Sequence, residues 1–201
     1  YINADVAALA TTANFTTNSA ISCTGGAVTT TQYTGALAVL ADQRVPVENN
    51  PRDMTFLLPS IPYYNLEDPT TGTAGAAWSQ AFIAGNRFAE EVRATGKVPI
   101  AFGTQFRLDQ QMPVSGASPN RTWTALLLHR WAMAGVTRPI HTPPAGLKVC
   151  DVAYLPFGNI QIRVMTGYSF YPKGAEILSI DAVYGLKVTR ENMGVIFSIA
   201  E

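Results

Sequence analysis

The sequence predicts an α+β fold, and three observations carry that reading. Apolar and polar residues alternate with period two over 158–171 and again from Leu178 to Val188, as in long strands joined by a tight reversal. Tyr33, Leu37 and Leu40 recur at the i, i+4, i+7 spacing of one helix face, behind threonines that can cap it. Proline and glycine divide the remaining chain into short segments, with no fixed-period repeat.

In chain order, Asp5–Ala13 reads as the end of a helix with Val6, Leu9 and Ala10 on one face, and Gly25–Gly26 as a turn. The helix carrying Tyr33 starts at Thr29–Thr31 and stops by Val45, because the residue before Pro46 is pushed out of the helical region. Met54–Leu58 is a short apolar strand closed by Pro59, and Ser60 is placed to cap a short helix with Pro62 in its first turn. Pro69–Gly75 reads as a loop, Trp78–Ile83 begins an apolar stretch, and Phe88 and Val92 mark a helix face that Gly96 can end. Val98–Phe102 and Gln105–Asp109 read as strands, and 113–120 as a loop. Residues 122–135 stay open between helix and strand, since a short apolar run fits either. Pro139, Pro143, Pro144 and Gly146 make a rigid connector into the β-rich remainder. There, Ile160, Ile162, Val164, Tyr168 and Phe170 are expected on a buried face, with Gln161 and Arg163 on a solvated one. After a turn at Pro172–Gly174 comes the second long strand, then a turn at Arg190–Gly194 and a last strand, Val195–Ile199.

The 201 residues are 47% apolar but only 14% charged, against roughly 25% charged in an average soluble domain. A subunit whose neighbours bury much of its exterior needs fewer charges to stay soluble. Fourteen basic and fourteen acidic residues cancel, so the chain lacks the basic excess with which nucleic-acid clamps displace counterions. Cys23 and Cys150 lie far apart with no CxxC, which argues against a disulfide framework or a zinc knuckle and fits a reduced compartment. No apolar run approaches the roughly 20 residues of a membrane span.

No residue is assigned a catalytic, cofactor-binding or metal-ligating role. His129 and His141 form neither HExxH nor HxH and have no carboxylate at ligand spacing; a packed or hydrogen-bonded histidine is the expectation for His129. There is no GxSxG elbow. The TGTAG segment around Gly72 and Gly75 lacks the lysine of a phosphate loop and the third glycine of a dinucleotide turn. Glu67–Asp68 and Glu90–Glu91 read as solvated carboxylates, and the sequons at Asn14 and Asn120 as chance matches. Trp123 and Trp131, beside Arg121 and Arg130, have the composition of a base- or sugar-stacking platform, but core or interface packing is the favoured expectation for both.

Four segments, in order, resemble the tailed-phage major capsid family with its HK-ninety-seven fold. Ala36–Pro59 (ALAVLADQRVPVENNPRDMTFLLP) is similar to the family's helix ending in "vP" and the strand that follows. Gly96–Pro113 (GKVPIAFGTQFRLDQQMP) resembles its glycine-marked strand pair, and Ala125–Pro139 (ALLLHRWAMAGVTRP) its apolar "hr.A" stretch. Ile177–Phe197 (ILSIDAVYGLKVTRENMGVIF) is similar to its terminal strand pair and is the most specific of the four.

The resemblance implies an axial domain over residues 28–150 and a discontinuous peripheral domain from 1–27 and 151–201. It implies a structural protein, not an enzyme, that assembles with itself into pentamers and hexamers of an icosahedral shell around double-stranded DNA. Scaffold, portal and decoration proteins would be further partners. The DNA would be enclosed without specific binding, no membrane would be involved, no cofactor would be needed, and the site of action would be the virion, assembled in the host cytoplasm. The family's N-terminal arm, E-loop and most of its spine helix have no counterpart in these residues, and the chain starts at Tyr1. The expectation is therefore a fragment that stays monomeric or a small oligomer in dilute solution. The nearest alternative is an encapsulin-type shell around a protein cargo; a β-rich binding module or enzyme domain is a further one.

Overall fold

A computed structural model describes residues 2–47, 53–66, 100–101, 103–138, 150–157, 160–169 and 174–201. The expectations for Pro69–Gly75, Trp78–Ile83, Phe88, Val92 and Gly96, and for the 139–146 connector, lie outside the described residues. Contacts divide the chain into two units, residues 1–133 with 188–201, and residues 134–187.

The first unit is built on a mixed sheet. In chain order its elements are α1 (Ile2–Leu9), β1 (Ile21–Cys23), α2 (Thr30–Asp42), β2 (Met54–Leu58), α3 (Ser60–Asn65), β3 (Ile100–Ala101), β4 (Thr104–Leu108), β5 (Val114–Ser115), β6 (Thr122–His129) and, after the second unit, β11 (Gly194–Ala200). The strand order is β1-β11-β6-β2-β4-β3, with β5 also paired to β6. Two pairs are parallel, β1 with β11 and β2 with β4; the β11–β6 and β2–β6 pairs are antiparallel.

Local chemistry explains the helices. Thr29 caps α2 through a reciprocal box: its hydroxyl accepts from the Gln32 backbone N–H at 3.2 Å, and the Gln32 side chain accepts from the Thr29 N–H at 2.9 Å. Tyr33, Ala36 and Leu40 form the buried stripe, with Leu37 partly buried beside them. The helix ends at Asp42, where Arg44 turns the chain with a φ of 59° before Pro46 is reached. Ser60 does not cap α3. The N-cap is Pro59, which offers no side-chain hydrogen bond, and Ser60 is the first helical residue.

Residues 122–135 resolve into a strand and the start of another, not a helix. β6 is buried at Trp123, Ala125, Leu126, Leu127 and His129, so apolar residues occupy both faces and the run loses its alternation. β2 alternates cleanly, with Met54, Phe56 and Leu58 buried. Phe56 joins the aromatic centre: Tyr33, Phe106 and Phe197 lie at ring-centroid distances of 5.7, 5.6 and 5.0 Å from it. Each such pair adds roughly 0.5–1.5 kcal/mol beyond simple burial. The Tyr33 hydroxyl donates to Thr104, which satisfies both buried oxygens.

The contact boundaries differ from the expected domain limits of 28–150 against 1–27 with 151–201. β1 and β11 hydrogen-bond into the same sheet as β6 and β2, so residues 21–23 and 194–200 share one core with the central segments.

In the second unit, β7 (Met133–Arg138), β8 (Cys150–Phe157), β9 (Ile160–Ser169) and β10 (Ala175–Val188) form a four-stranded sheet in the order β7-β10-β9-β8. The β8–β9 and β9–β10 pairs are antiparallel. The predicted alternation holds, since Ile162 and Val164 pair with Ala182 and Ile180 while Arg163 pairs with Asp181. The expected burial does not hold at Ile162 and Val164, and the side chains of Ile160, Tyr168 and Phe170 lie outside the described residues. None of the described side chains from 134 to 187 is buried, and Ile162 and Val164 are only half-buried. Arg163, expected in solvent, instead bonds Asp181 at 2.8 Å with its side chain 15% exposed. Among the described residues, Leu155, Leu178 and Ile180 on the apolar face are exposed, whereas the polar face is held by an ion pair.

Gly194 shows how tightly the first unit is packed. A Cβ there would stand 2.4 Å from the Phe15 ring, and Phe15 is fully buried. Its φ of −142° suits any residue, so the constraint is packing alone. Gly194→Ala should destabilise the chain by about 1–3 kcal/mol in urea melts, and Phe15→Leu in the same chain should recover part of the loss. Simple additivity of the two changes would refute this packing account.

Candidate assembly surfaces

Two surfaces stand out from the described residues, one on each unit. The first is the apolar face of the 134–187 sheet. Leu155 pairs with Ile162, Ala153 and Ile180 both pair with Val164, Leu178 pairs with Thr166, and Ala182 pairs with Ile162, so these side chains share one face. Leu155, Leu178 and Ile180 are 55%, 62% and 64% exposed. Isolated exposed leucines are ordinary, but a contiguous set in cross-strand register is a surface. The opposite face carries Arg163, Asp181 and Ser179, with the Asp181 carboxylate accepting from both of the others. The hydrogen bond from Arg163 holds the Asp181 carboxyl below the usual carboxylate range, against the opposing effect of burial.

The second surface is the turn after β6. Arg130 donates its backbone N–H to the Asp53 carbonyl at 2.8 Å, and its guanidinium pairs with the Asp53 carboxylate at 3.1 Å. The Trp131 N–H donates to His129 Nδ1 at 3.3 Å, and the Trp131 carbonyl accepts from the Thr189 hydroxyl at 2.9 Å. The Arg190 N–H bonds the Ala132 carbonyl at 3.3 Å. These bonds fix a corner on which the Trp131 indole is 48% exposed. The Arg130 and Arg190 guanidiniums lie 5.3 and 5.9 Å from its ring centroid.

The sequence treated the two tryptophans alike, and the structure separates them. Trp123 is buried on β6, in the core. Trp131 is on the surface. Its second guanidinium comes from Arg190, 59 positions along the chain, which no local spacing could reveal. His129 is fully buried, with its ring edge-on to Trp131 at 5.0 Å. Since Nδ1 accepts a hydrogen bond, the neutral ring carries its proton on Nε2, which has no partner. Burial pushes the imidazole below its ordinary value; the Asp53 carboxylate opposes the shift, and Arg130 and Arg190 reinforce it.

The other candidates place as follows. Among the described residues no group of three His, Cys, Asp or Glu side chains converges as metal ligands would, and no helix is long and apolar enough to cross a membrane. Burial raises the Cys23 thiol to about 12, which makes it a packed side chain and a poor nucleophile. Asn14 donates to the Leu9 carbonyl and Asn120 is exposed. His141, Glu67, Asp68, Gly72, Gly75, Glu90 and Glu91 lie outside the described residues.

Comparison with protein-family models, curated proteins and solved structures gives no match to this chain.

The depressed His129 value has a consequence for stability. Below about pH 6.5 the unfolded chain binds the His129 proton more readily than the folded one, so stability is lost as pH falls from there toward the folded value. Above that window the group contributes no pH dependence. Between about pH 7 and pH 5 the melting temperature of the parent should fall more steeply than that of His129→Leu. Parallel slopes would mean that the folded protein accepts the His129 proton freely.

Proposed function

We propose that the chain is a self-assembling structural subunit of the tailed-phage major capsid type, with an HK-ninety-seven-like fold. One observation carries the reading: a four-stranded sheet with no buried described side chain that displays Leu155, Leu178 and Ile180 in register to solvent. A sheet without its own core needs another surface to cover it. In a subunit of a shell that surface belongs to a neighbour.

The magnitudes suit a lattice better than a tight pair. Covering these three side chains yields on the order of 1–2 kcal/mol each, given their present exposure. Association costs roughly 4–15 kcal/mol in lost rigid-body freedom, so this patch alone does not sustain a strong binary complex. Many weak contacts closing around one particle do. In this reading the seven-stranded unit takes the axial place and the 134–187 sheet the peripheral one. Copies join as pentamers and hexamers of an icosahedral shell around double-stranded DNA, in the virion, after assembly in the host cytoplasm. Scaffold, portal and decoration proteins are its further partners.

Zero net charge suits an inner wall that encloses the genome without gripping it. A structural role, as opposed to an enzymatic one, fits a His129 imidazole that solvent and substrate do not reach. Ile177–Phe197, which resembles the family's terminal strand pair, spans β10 and β11, and these two strands lie in different sheets.

Leu178→Lys and Ile180→Lys test the reading. Each should leave the stability of the dilute subunit within the small range of a surface change, about 0.5 kcal/mol, and each should weaken the self-association of concentrated protein measured by sedimentation. Unimpaired assembly by both variants would remove the observation on which the proposal stands.

A further inference from the structure

Arg190 and Asp42, both on the first unit, are among the charged side chains with no ion-pair partner among the described residues, and each stands beside an exposed apolar one. Arg190 is exposed against the Trp131 indole. Asp53 at that corner already pairs with Arg130, and the Glu191 carboxylate next along the chain accepts from the Thr16 hydroxyl. Asp42 is the last residue of α2, exposed, with exposed Val39 one turn back on the same face. A carboxylate at a helix C-terminus faces the negative end of the helix dipole, so it is disfavoured where it stands unless a cation meets it. Arg44, two residues on, makes no ion pair with it, and Arg190 of the same chain does not either.

We infer that the Trp131–Arg190 corner of one copy docks on the Val39–Asp42 end of α2 in a second copy. The inference rests on the self-assembly reading and names the contact within it. The two patches match in kind: an indole with a guanidinium meets an aliphatic side chain with a carboxylate. Trp and Arg are the residues most often found to dominate association energies. The corner is fixed beforehand by the bonds from Thr189 to the Trp131 carbonyl and from the Arg190 N–H to Ala132, so little freedom is lost on docking. The guanidinium supplies a cation that no described residue supplies at the end of α2, and the carboxylate supplies an anion that no described residue supplies to Arg190. Because the patches are different surfaces of one chain, the contact is head-to-tail, and its repetition generates a ring where the rotation between copies closes.

Charge reversal tests the contact by sedimentation over rising concentration of the full chain. Arg190→Asp and Asp42→Arg should each weaken self-association by about tenfold or more, as should Trp131→Ala. The double reversal Arg190→Asp/Asp42→Arg should return it to within a factor of about three of the parent. All the altered side chains are surface ones, and unchanged melting curves would confirm that folding is intact. A parent that associates while both single reversals do so equally well overturns this contact and leaves the shell reading in place. A double reversal as weak as the singles overturns it too. A parent that stays monomeric at every concentration removes the shell reading, and this contact with it.

Discussion

β11, the strand from Gly194 to Ala200, lies between β1 and β6 and hydrogen-bonds to both. The core of the first unit depends on that insertion. Val195, Ile196, Phe197 and Ile199 are all buried, and Phe197 meets Phe56 on β2 across the intervening strand. At roughly 1.5–3 kcal/mol for each buried side chain, these four contribute as much as the whole net stability of an ordinary domain, about 5–15 kcal/mol. The strand fits only because Gly194 leaves room for the Phe15 ring. Asn18 holds the approach to it, donating to the carbonyls of Asn192 and Gly194. Residues from both ends of the sequence are thus locked into one sheet before any external contact is made.

The second sheet obeys a different rule. Its strands are as regular as those of the first, yet its apolar side chains are not enclosed by the described chain. The ion pair between Arg163 and Asp181 gives one face polar definition, and the other face is left apolar. A protein evolved to remain a monomer suppresses such a face; one that assembles keeps it. That contrast between an enclosed sheet and an uncovered one in the same chain ties the fold to the proposed role.

Parts of this were legible in the sequence for identifiable reasons. The Tyr33 helix carries its own signals, with a threonine cap and a buried stripe at 3.6-residue spacing, and the structure reproduces them. The alternation through Ile162 and Val164 fixed which side chains share a face, and that register holds. It said nothing of whether the face is covered, because alternation records sidedness and not burial. The run Ala125–His129 was unreadable for the opposite reason: a central strand buried on both faces shows no period. β1 is only three residues long, and the parallel pairing of β2 with β4 joins segments far apart in sequence, so neither has a local signature. The Trp131 corner was half visible. Arg130 beside it could be seen, whereas Arg190 arrives only through folding.

In the proposed role the 134–187 sheet is completed by another chain. Hydrogen–deuterium exchange, followed by mass spectrometry at low and high protein concentration, measures this directly. At low concentration, peptides from 150–157, 160–169 and 175–187 should exchange much faster than those from 122–129 and 194–200. At high concentration the first group should become protected while the second stays as it was. Slow exchange of the 150–187 peptides at every concentration would show a sheet that is stable uncovered, and would contradict the account.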